Sequence, residues 1–273
     1  MENKKYIIDA EYEREEIIKW IKKYFVENGN VNTKAVIGIS GGKDSTIAAA
    51  LLVRALGPER VIGVLMPNNR QSDIEDSYNI CNTLGIEHYT INIGDTYKIL
   101  TEDFINRTEL PLTPTIETNT PARLRMVCLY MVAAAVSGRV CCTGNASEKY
   151  VGYTTKYGDL AGDFALFTDY YVRDVLAIGD TMEEIPKDLV HKTPSDGMSG
   201  YSDEARLGFS YETLDAYILD DVYPNAYTLA NIQTKHDQNT HKGCISLPHP
   251  KESSRHDSSR TDWEPTHIRV WRF

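Results

Sequence analysis

Between a β-branched run and an apolar stretch, the chain reads Gly38-Ile39-Ser40-Gly41-Gly42-Lys43-Asp44-Ser45. Two adjacent glycines permit positive φ and let the backbone come close to a ligand. A helix starting behind such a turn offers free N–H groups and the positive end of its dipole to an anion. Ser40 and Ser45 add hydroxyl donors. Asp44 would repel a phosphate directly, so its place in the turn points to a bridging Mg²⁺. The chemistry expected is the handling of a magnesium–polyphosphate. Two rival readings fail on spacing: a Walker A loop needs Ser or Thr after the lysine, but Lys43 is followed by Asp44, and no GxGxxG fingerprint occurs.

A turn of this kind must sit between a strand and a helix. Ala35–Ile39 is short, apolar and β-branched, and a helix through Ile47–Leu56 follows, stopped by Gly57-Pro58. Val61–Pro67 predicts a second buried strand, residues ~71–84 a helix, and His88–Ile93 a third strand. Thr120-Pro121 reads as a helix start, after which Leu124, Val127, Cys128, Met131, Val132 and Ala135 form one apolar stripe, leading into a fourth strand at Arg139–Thr143. Ahead of all these, Ile17, Ile18, Ile21, Tyr24 and Phe25 recur at helical spacing. Alternating strands and helices predict an α/β fold, a doubly wound parallel sheet with helices on both faces. In such sheets ligands bind beyond the carboxyl ends of the strands, where Ser40 and Thr143 both fall.

Residues ~150–210 are dense in Gly, Asp, Tyr and Lys and read as ordered loops and short helices around a site. Closing helices are expected at ~211–220 and ~225–239. The expected organisation is a single domain over residues 1–250 and an irregular polar tail over 251–273.

The formal net charge of −10 over 273 residues argues against nucleic-acid or anionic-membrane partners. An anionic substrate then needs locally clustered Arg and Lys. The five cysteines lack CxxC spacing, which predicts reduced thiols in a cytoplasmic protein and no structural zinc. The N-terminal stretch has no apolar core of a secretory signal, and no run approaches the ~20 apolar residues of a membrane span.

The segment Gly38–Ser45 resembles the pyrophosphate loop of the N-type ATP pyrophosphatases. Cys142–Phe164, CTGNASEKYVGYTTKYGDLAGDF, is similar to the part of NAD synthetases that runs from a strand end through an acidic metal ligand to TKYGD. Asn119–Met126 resembles the Arg-containing helix of that family, and His191–Ile218 its mobile loop and following Asp-Glu-rich helix start. His241-Lys242 matches the end of the pattern, so the resemblance runs in order through most of residues ~10–245.

That resemblance implies an adenine nucleotide alpha hydrolase-like fold and the amidation of deamido-NAD by ammonia. ATP is the co-substrate, Mg²⁺ the cofactor, and an acyl-adenylate the intermediate. It assigns Gly38, Ile39, Ser40, Gly41, Gly42, Lys43, Asp44, Ser45, Thr143 and Ser195 to ATP, and Asp44 and Glu148 to magnesium. Arg123, Lys156, Asp163, His241 and Lys242 are assigned to deamido-NAD. A homodimer built through the early helices is implied as well. The family lysine that reaches the phosphates aligns with Val172, so that charge falls to Arg173, to Lys43 or to another group. A separate glutaminase subunit as ammonia source stays open, as do adenylation of another acceptor and a non-catalytic nucleotide-binding role.

Overall fold

The computed structural model describes residues 7–192, 202–244 and 246–251. Its five parallel strands are β1 (Ala35–Gly38), β2 (Val61–Leu65), β3 (Glu87–Thr90), β4 (Arg139–Cys142) and β5 (Phe164–Ala165), in the order β3-β2-β1-β4-β5. The central strands are apolar throughout because helices cover both faces: Ala35, Val36, Ile37, Val61, Ile62 and Val64 are all buried. Val36 lies opposite Ile62 on one side and Val140 on the other. From β1 the chain first builds outward through β2 to β3, then returns to lay β4 and β5 on the opposite side. The crevice at the carboxyl ends of β1 and β4 is therefore the topological switch point, where an open sheet of this kind leaves room for a ligand.

Eleven α-helices occur among the described residues: α1 (Ala10–Glu27), α2 (Lys43–Leu56), α3 (Ile74–Leu84), α4 (Gly94–Thr108), α5 (Pro114–Val136), α6 (Ala146–Val151), α7 (Val172–Asp180), α8 (Lys187–Val190), α9 (Asp203–Leu207), α10 (Tyr211–Asp220) and α11 (Ala226–Asn239). Asp9 starts α1 by accepting the Tyr12 amide at 3.1 Å. The stripe from Ile17 to Phe25 is buried, as its spacing predicts. It packs on α2 and α7, and the rings of Tyr24 and Phe25 lie 4.9 and 5.5 Å from that of Phe164 in β5. Every residue of α2 from Ile47 to Leu52 is buried, which makes this helix the axis of the core.

The expected strands all form, within a few residues of their predicted limits. Two elements were not anticipated: α4, and β5, which is two residues long. A third expectation fails in position. The helix expected to start at Thr120-Pro121 starts instead at the earlier Thr-Pro pair: Thr113 caps it, accepting from the Ile116 amide at 3.3 Å, and Pro121 is carried inside. Its expected apolar stripe does not face the core as one surface either, since Val127 is 46% and Met131 65% exposed. Of the stripe Val132 packs on the sheet, where it joins Leu129, Tyr130 and Val136 against Val36, Ile62, Val64 and Val140. The cause is a helix apolar on nearly every side, where spacing alone does not decide which side meets the sheet.

No helix among the described residues is long and apolar enough to cross a membrane. The described cysteines, Cys81, Cys128, Cys141 and Cys142, form no disulfide. The tail from residue 252 onward lies outside the described residues.

Where α7 crosses α2, Gly179 gives the close approach. A Cβ there would stand 2.6 Å from Ile47 Cδ1 and 3.0 Å from Val190 Cγ1. Gly179→Ala is expected to overpack this contact and lower stability by about 1–3 kcal/mol, read from the urea midpoint at unchanged m-value.

Candidate active site

Beyond β1, Ile39 still pairs with β2, its amide donating to the Val64 carbonyl at 3.0 Å. The chain then reverses at Gly41, whose φ is +77° and whose Cβ would lie 3.0 Å from Asp76 Cβ and 3.2 Å from the Ser77 amide nitrogen. Both the dihedral and the space call for glycine. Ser40 Oγ accepts the Gly42 amide at 3.2 Å and lies 3.1 Å from Ser45 Oγ, so the two serines tie the turn together. Gly42 precedes α2 with no side chain capping the helix. The first N–H groups of α2 are thus not consumed by a cap.

Beyond β4, Asn145 organises the acidic part. Its Oδ1 accepts the Glu148 amide at 3.0 Å while its own amide donates to Glu148 Oε2 at 3.2 Å, a reciprocal cap that starts α6. Its Nδ2 reaches across to Asp44 Oδ1 at 3.2 Å. One buried asparagine therefore holds the two carboxylates side by side, although they are 104 residues apart in the chain (148 − 44). Glu148 responds by titrating at about 8 instead of 4.5, first because of burial and then because of the charge on Asp44, with Lys43 pulling the other way.

Further bonds fix α6. Ser147 Oγ donates to Asp215 Oδ1 at 2.5 Å and accepts the Val172 amide at 2.9 Å, and Asp215 Oδ2 accepts the Arg173 amide at 2.9 Å. The starts of α6 and α7 are thereby clamped to α10.

Lys43 is 4% exposed, with Nζ 2.7 Å from Asp44 Oδ2 and 5.4 Å from the centre of the Tyr211 ring. Burial alone would lower its pKa, but Asp44, Glu148 and Asp203 together more than offset that, and the ammonium is held charged.

These groups open onto a cavity of about 590 Å³, a size common for small-ligand sites. Residues 38–40 and 42–45, Thr143, Glu148 and Lys242 all line it, with Gly41 behind the turn. Three residues assigned by resemblance to deamido-NAD meet one another outside this wall. Arg123 Nε donates to the Lys156 carbonyl at 3.3 Å, and Lys156 Nζ to the His241 carbonyl at 3.5 Å. Lys242 Nζ straps down the Gly152 and Thr154 carbonyls at 2.7 and 2.8 Å. Asp163 stands apart: its Oδ2 accepts the Val140 amide at 2.7 Å, at the edge of β4. Ser195 lies outside the described residues.

Of the charges open at Val172, Arg173 is engaged by both oxygens of Asp220 at 2.5 and 3.0 Å, and Val172 itself is 5% exposed. Lys43 is the one of these candidates in the cavity wall. The sequence reading missed Asn145, Arg125, Thr154, Asp203 and Arg206, all of which bear on the site; all but Asn145 line this cavity. An Asn three residues before Glu148 was a readable cap signal. The hydroxyl of buried Thr154, without a partner among the described residues, had no sequence signature.

Among the described residues no three His, Cys, Asp or Glu side chains converge on a metal. Two hard carboxylates beside a phosphate-sized turn do fit Mg²⁺, which usually takes one or two carboxylates and fills its remaining positions with phosphate and water.

A carboxyl whose folded pKa is raised favours folding when protonated. That contribution is complete below about pH 4.5 and is lost as pH rises through about 8. The ligand-free protein is therefore expected to lose about 1–2 kcal/mol between pH 6 and 9 from this group, allowing for solvent that enters the cavity. Glu148→Gln should flatten that part of the slope in pH-dependent chemical denaturation.

The chain matches the NAD synthase family over residues 13–251. It is 40% identical over 187 residues to the NH(3)-dependent NAD(+) synthetase of Methanoregula boonei, covering 66% of this chain and 72% of that protein. Among solved structures it resembles the NMN synthetase of Francisella tularensis, with 30% identity, a TM-score of 0.79, and 88% and 98% of the two chains covered. It also resembles the NH3-dependent NAD synthetase of Campylobacter jejuni, with 27% identity, a TM-score of 0.69 and the same coverage. With the glycine turn and both carboxylates at the switch point of a sheet shared with these proteins, the chain belongs to the NAD synthase family.

Proposed function

We propose that this protein makes NAD by amidating deamido-NAD with ammonia, at the expense of ATP, in the cytoplasm. A nicotinate carboxylate oxygen attacks the α-phosphorus of ATP, the bond to the β-phosphate oxygen breaks, and pyrophosphate leaves. Ammonia then attacks the acyl carbon of the adenylate, loses a proton, and expels AMP. Family membership supports ATP as co-substrate. The observation that carries the reading is the meeting of the glycine turn, Asp44 and Glu148 in one cavity.

In this reading residues 38–45, with Thr143 and Ser195, bind ATP, and Asp44 and Glu148 hold magnesium, which when bound offsets charge on the pyrophosphate. Lys43 supplies a fixed positive charge at the phosphates. Arg123, Lys156, Asp163, His241 and Lys242 serve deamido-NAD, with Arg125 and Arg206 adding positive charge at the cavity. The chain's own work is to position two anions and keep their charges compensated.

A second reading concerns the acceptor. The TM-score to the NMN synthetase exceeds that to the Campylobacter enzyme, 0.79 against 0.69, which favours testing nicotinate mononucleotide beside the dinucleotide. With ATP, Mg²⁺ and ammonium, deamido-NAD should give equal amounts of NAD, AMP and pyrophosphate, at a kcat/KM above that for the mononucleotide. A reversed preference would move the assignment to the second reading. Asp44→Asn and Glu148→Gln should each lower turnover at least about 100-fold with the circular dichroism spectrum unchanged. A fully active double variant would refute the metal assignment.

The homodimer belongs to the same reading, but through other helices than expected, because the apolar face of α1 is spent inside the core. In α4 and α5, Ile99, Leu100, Ile105, Val127 and Met131 are exposed. Two such helices side by side offer a face of roughly 700 Å², near the ~800 Å² per partner of a stable interface. Val127→Asp combined with Met131→Asp should convert a dimer to a monomer in light scattering; an unchanged mass would remove this face from consideration.

A further inference from the structure

Lys192 has no part in the chemistry above. It stands two residues beyond α8, whose Leu189 and Val190 are buried and fix where its side chain starts. From there Nζ donates to Asp73 Oδ2 and Asp76 Oδ2, both at 2.6 Å, across 119 and 116 residues of chain. Burial works against the charge on Lys192, but its bonds to the two aspartates more than offset that, and the ammonium is held charged. Among the described residues it is the one cation bonded to either carboxylate.

Stability is a weak reason for such a clasp. The side chains of Lys192, Asp73 and Asp76 are 24%, 24% and 38% exposed, and ion pairs so open to water contribute little to folding. The place of the aspartates gives a better reason. Asp73 lines the same cavity as Ser40 and residues 42–45. The start of α3 also backs the turn, since a Cβ at Gly41 would lie 3.0 Å from Asp76 Cβ. One carboxylate is thus at the wall and the other on the helix turn behind it, where both would repel a polyphosphate drawn to the start of α2. Gln71 Nε2 donates to Asp73 Oδ1 at 3.0 Å, which holds that carboxylate from its other side but brings no charge.

We propose that Lys192 is a positioning residue for ATP, which clasps Asp73 to Asp76 and offsets their charge beside the glycine turn. The proposal rests on the reading that this turn binds the phosphates of ATP, and not on the identity of the acceptor. Lys192 acts through Asp73 and need not touch the nucleotide. An ammonium suits the task, being compact and carrying three N–H donors, enough to bond both carboxylates at once. With Lys192 the three side chains sum to one negative charge, and without it to two.

The test measures the Kd of magnesium α,β-methylene ATP by isothermal titration calorimetry in wild type and in Lys192→Met, which removes the charge and keeps most of the side chain. The expected result is roughly fivefold weaker binding at about 0.05 M salt, shrinking below about twofold at about 1 M as salt screens these partly exposed charges. KM for deamido-NAD should be unchanged, and the melting temperature should stay within about 3 °C of wild type. Lys192→Arg should keep most of the affinity. Lys192→Met combined with Asp73→Asn and Asp76→Asn, which leaves no charge to offset, should bind at least as tightly as wild type. Equal affinity in wild type and Lys192→Met would overturn the proposal. So would a loss that is the same at both salt concentrations or persists in the triple variant, the mark of a purely structural clasp. A wild type that binds the analogue and loses affinity in Lys192→Met, yet makes no NAD, would support this proposal while refuting the acceptor. A wild type that does not bind the analogue would overturn both.

Discussion

Two carboxylates held together by one asparagine set the terms for the rest of this structure. Asp44 and Glu148 both bond Asn145, and burial, with the charge on Asp44 added to it, lifts Glu148 to about 8. Such a pair stores unfavourable electrostatics that a divalent cation relieves, whereas a purely structural role would be better served by neutral side chains. Lys43 compensates part of that charge from a buried seat on the Tyr211 ring. The ligand-free site is thus arranged around charge that is only partly balanced, on a protein whose overall balance is already acidic.

Chain topology makes this juxtaposition possible. β1 and β4 are neighbours in the sheet although the whole β2–β3 excursion and α4–α5 separate them in sequence. Each strand ends at the same edge of the sheet and hands over to a helix start, α2 after the glycine turn and α6 after Asn145. Helix starts expose backbone donors toward whatever occupies the crevice. The Ser147–Asp215 contact, which also takes the backbone of α7, keeps α6 from shifting along the sheet edge. Small displacements there would separate Glu148 from Asp44, so much of the polar network behind the site serves one distance.

The parts of this arrangement legible in the sequence were those dictated by local chemistry. A β-branched run followed by a Gly-Gly pair announces a strand that ends in a turn only glycine accommodates, and Gly41 takes that place with φ +77°. The alternation of strands and helices gave the parallel sheet. What was illegible depended on tertiary choice. The two Thr-Pro pairs at 113–114 and 120–121 are equally good helix starts on local grounds, and only packing assigned the start to the first. The stripe through Val127 and Met131 had the right spacing for a core face, but the opposite side of α5 met the sheet. The two-residue β5 is too short to carry a period. The bond from the Val140 amide to Asp163 leaves no mark in composition or spacing. Thr154 became visible only because its hydroxyl has no partner among the described residues.

Membership of the NAD synthase family and the geometry of the cavity lead to the same central claim, that the carboxylate pair exists to hold a metal–pyrophosphate. The most direct measurement is a crystal structure with Mn²⁺ and α,β-methylene ATP, the ion located by its anomalous scattering. The account predicts a manganese peak within about 2.2 Å of one oxygen from each of Asp44 and Glu148 and of at least one phosphate oxygen. A manganese ion bound by the phosphates alone, with Asp44 still paired to Lys43 and Glu148 remote from it, would contradict the account.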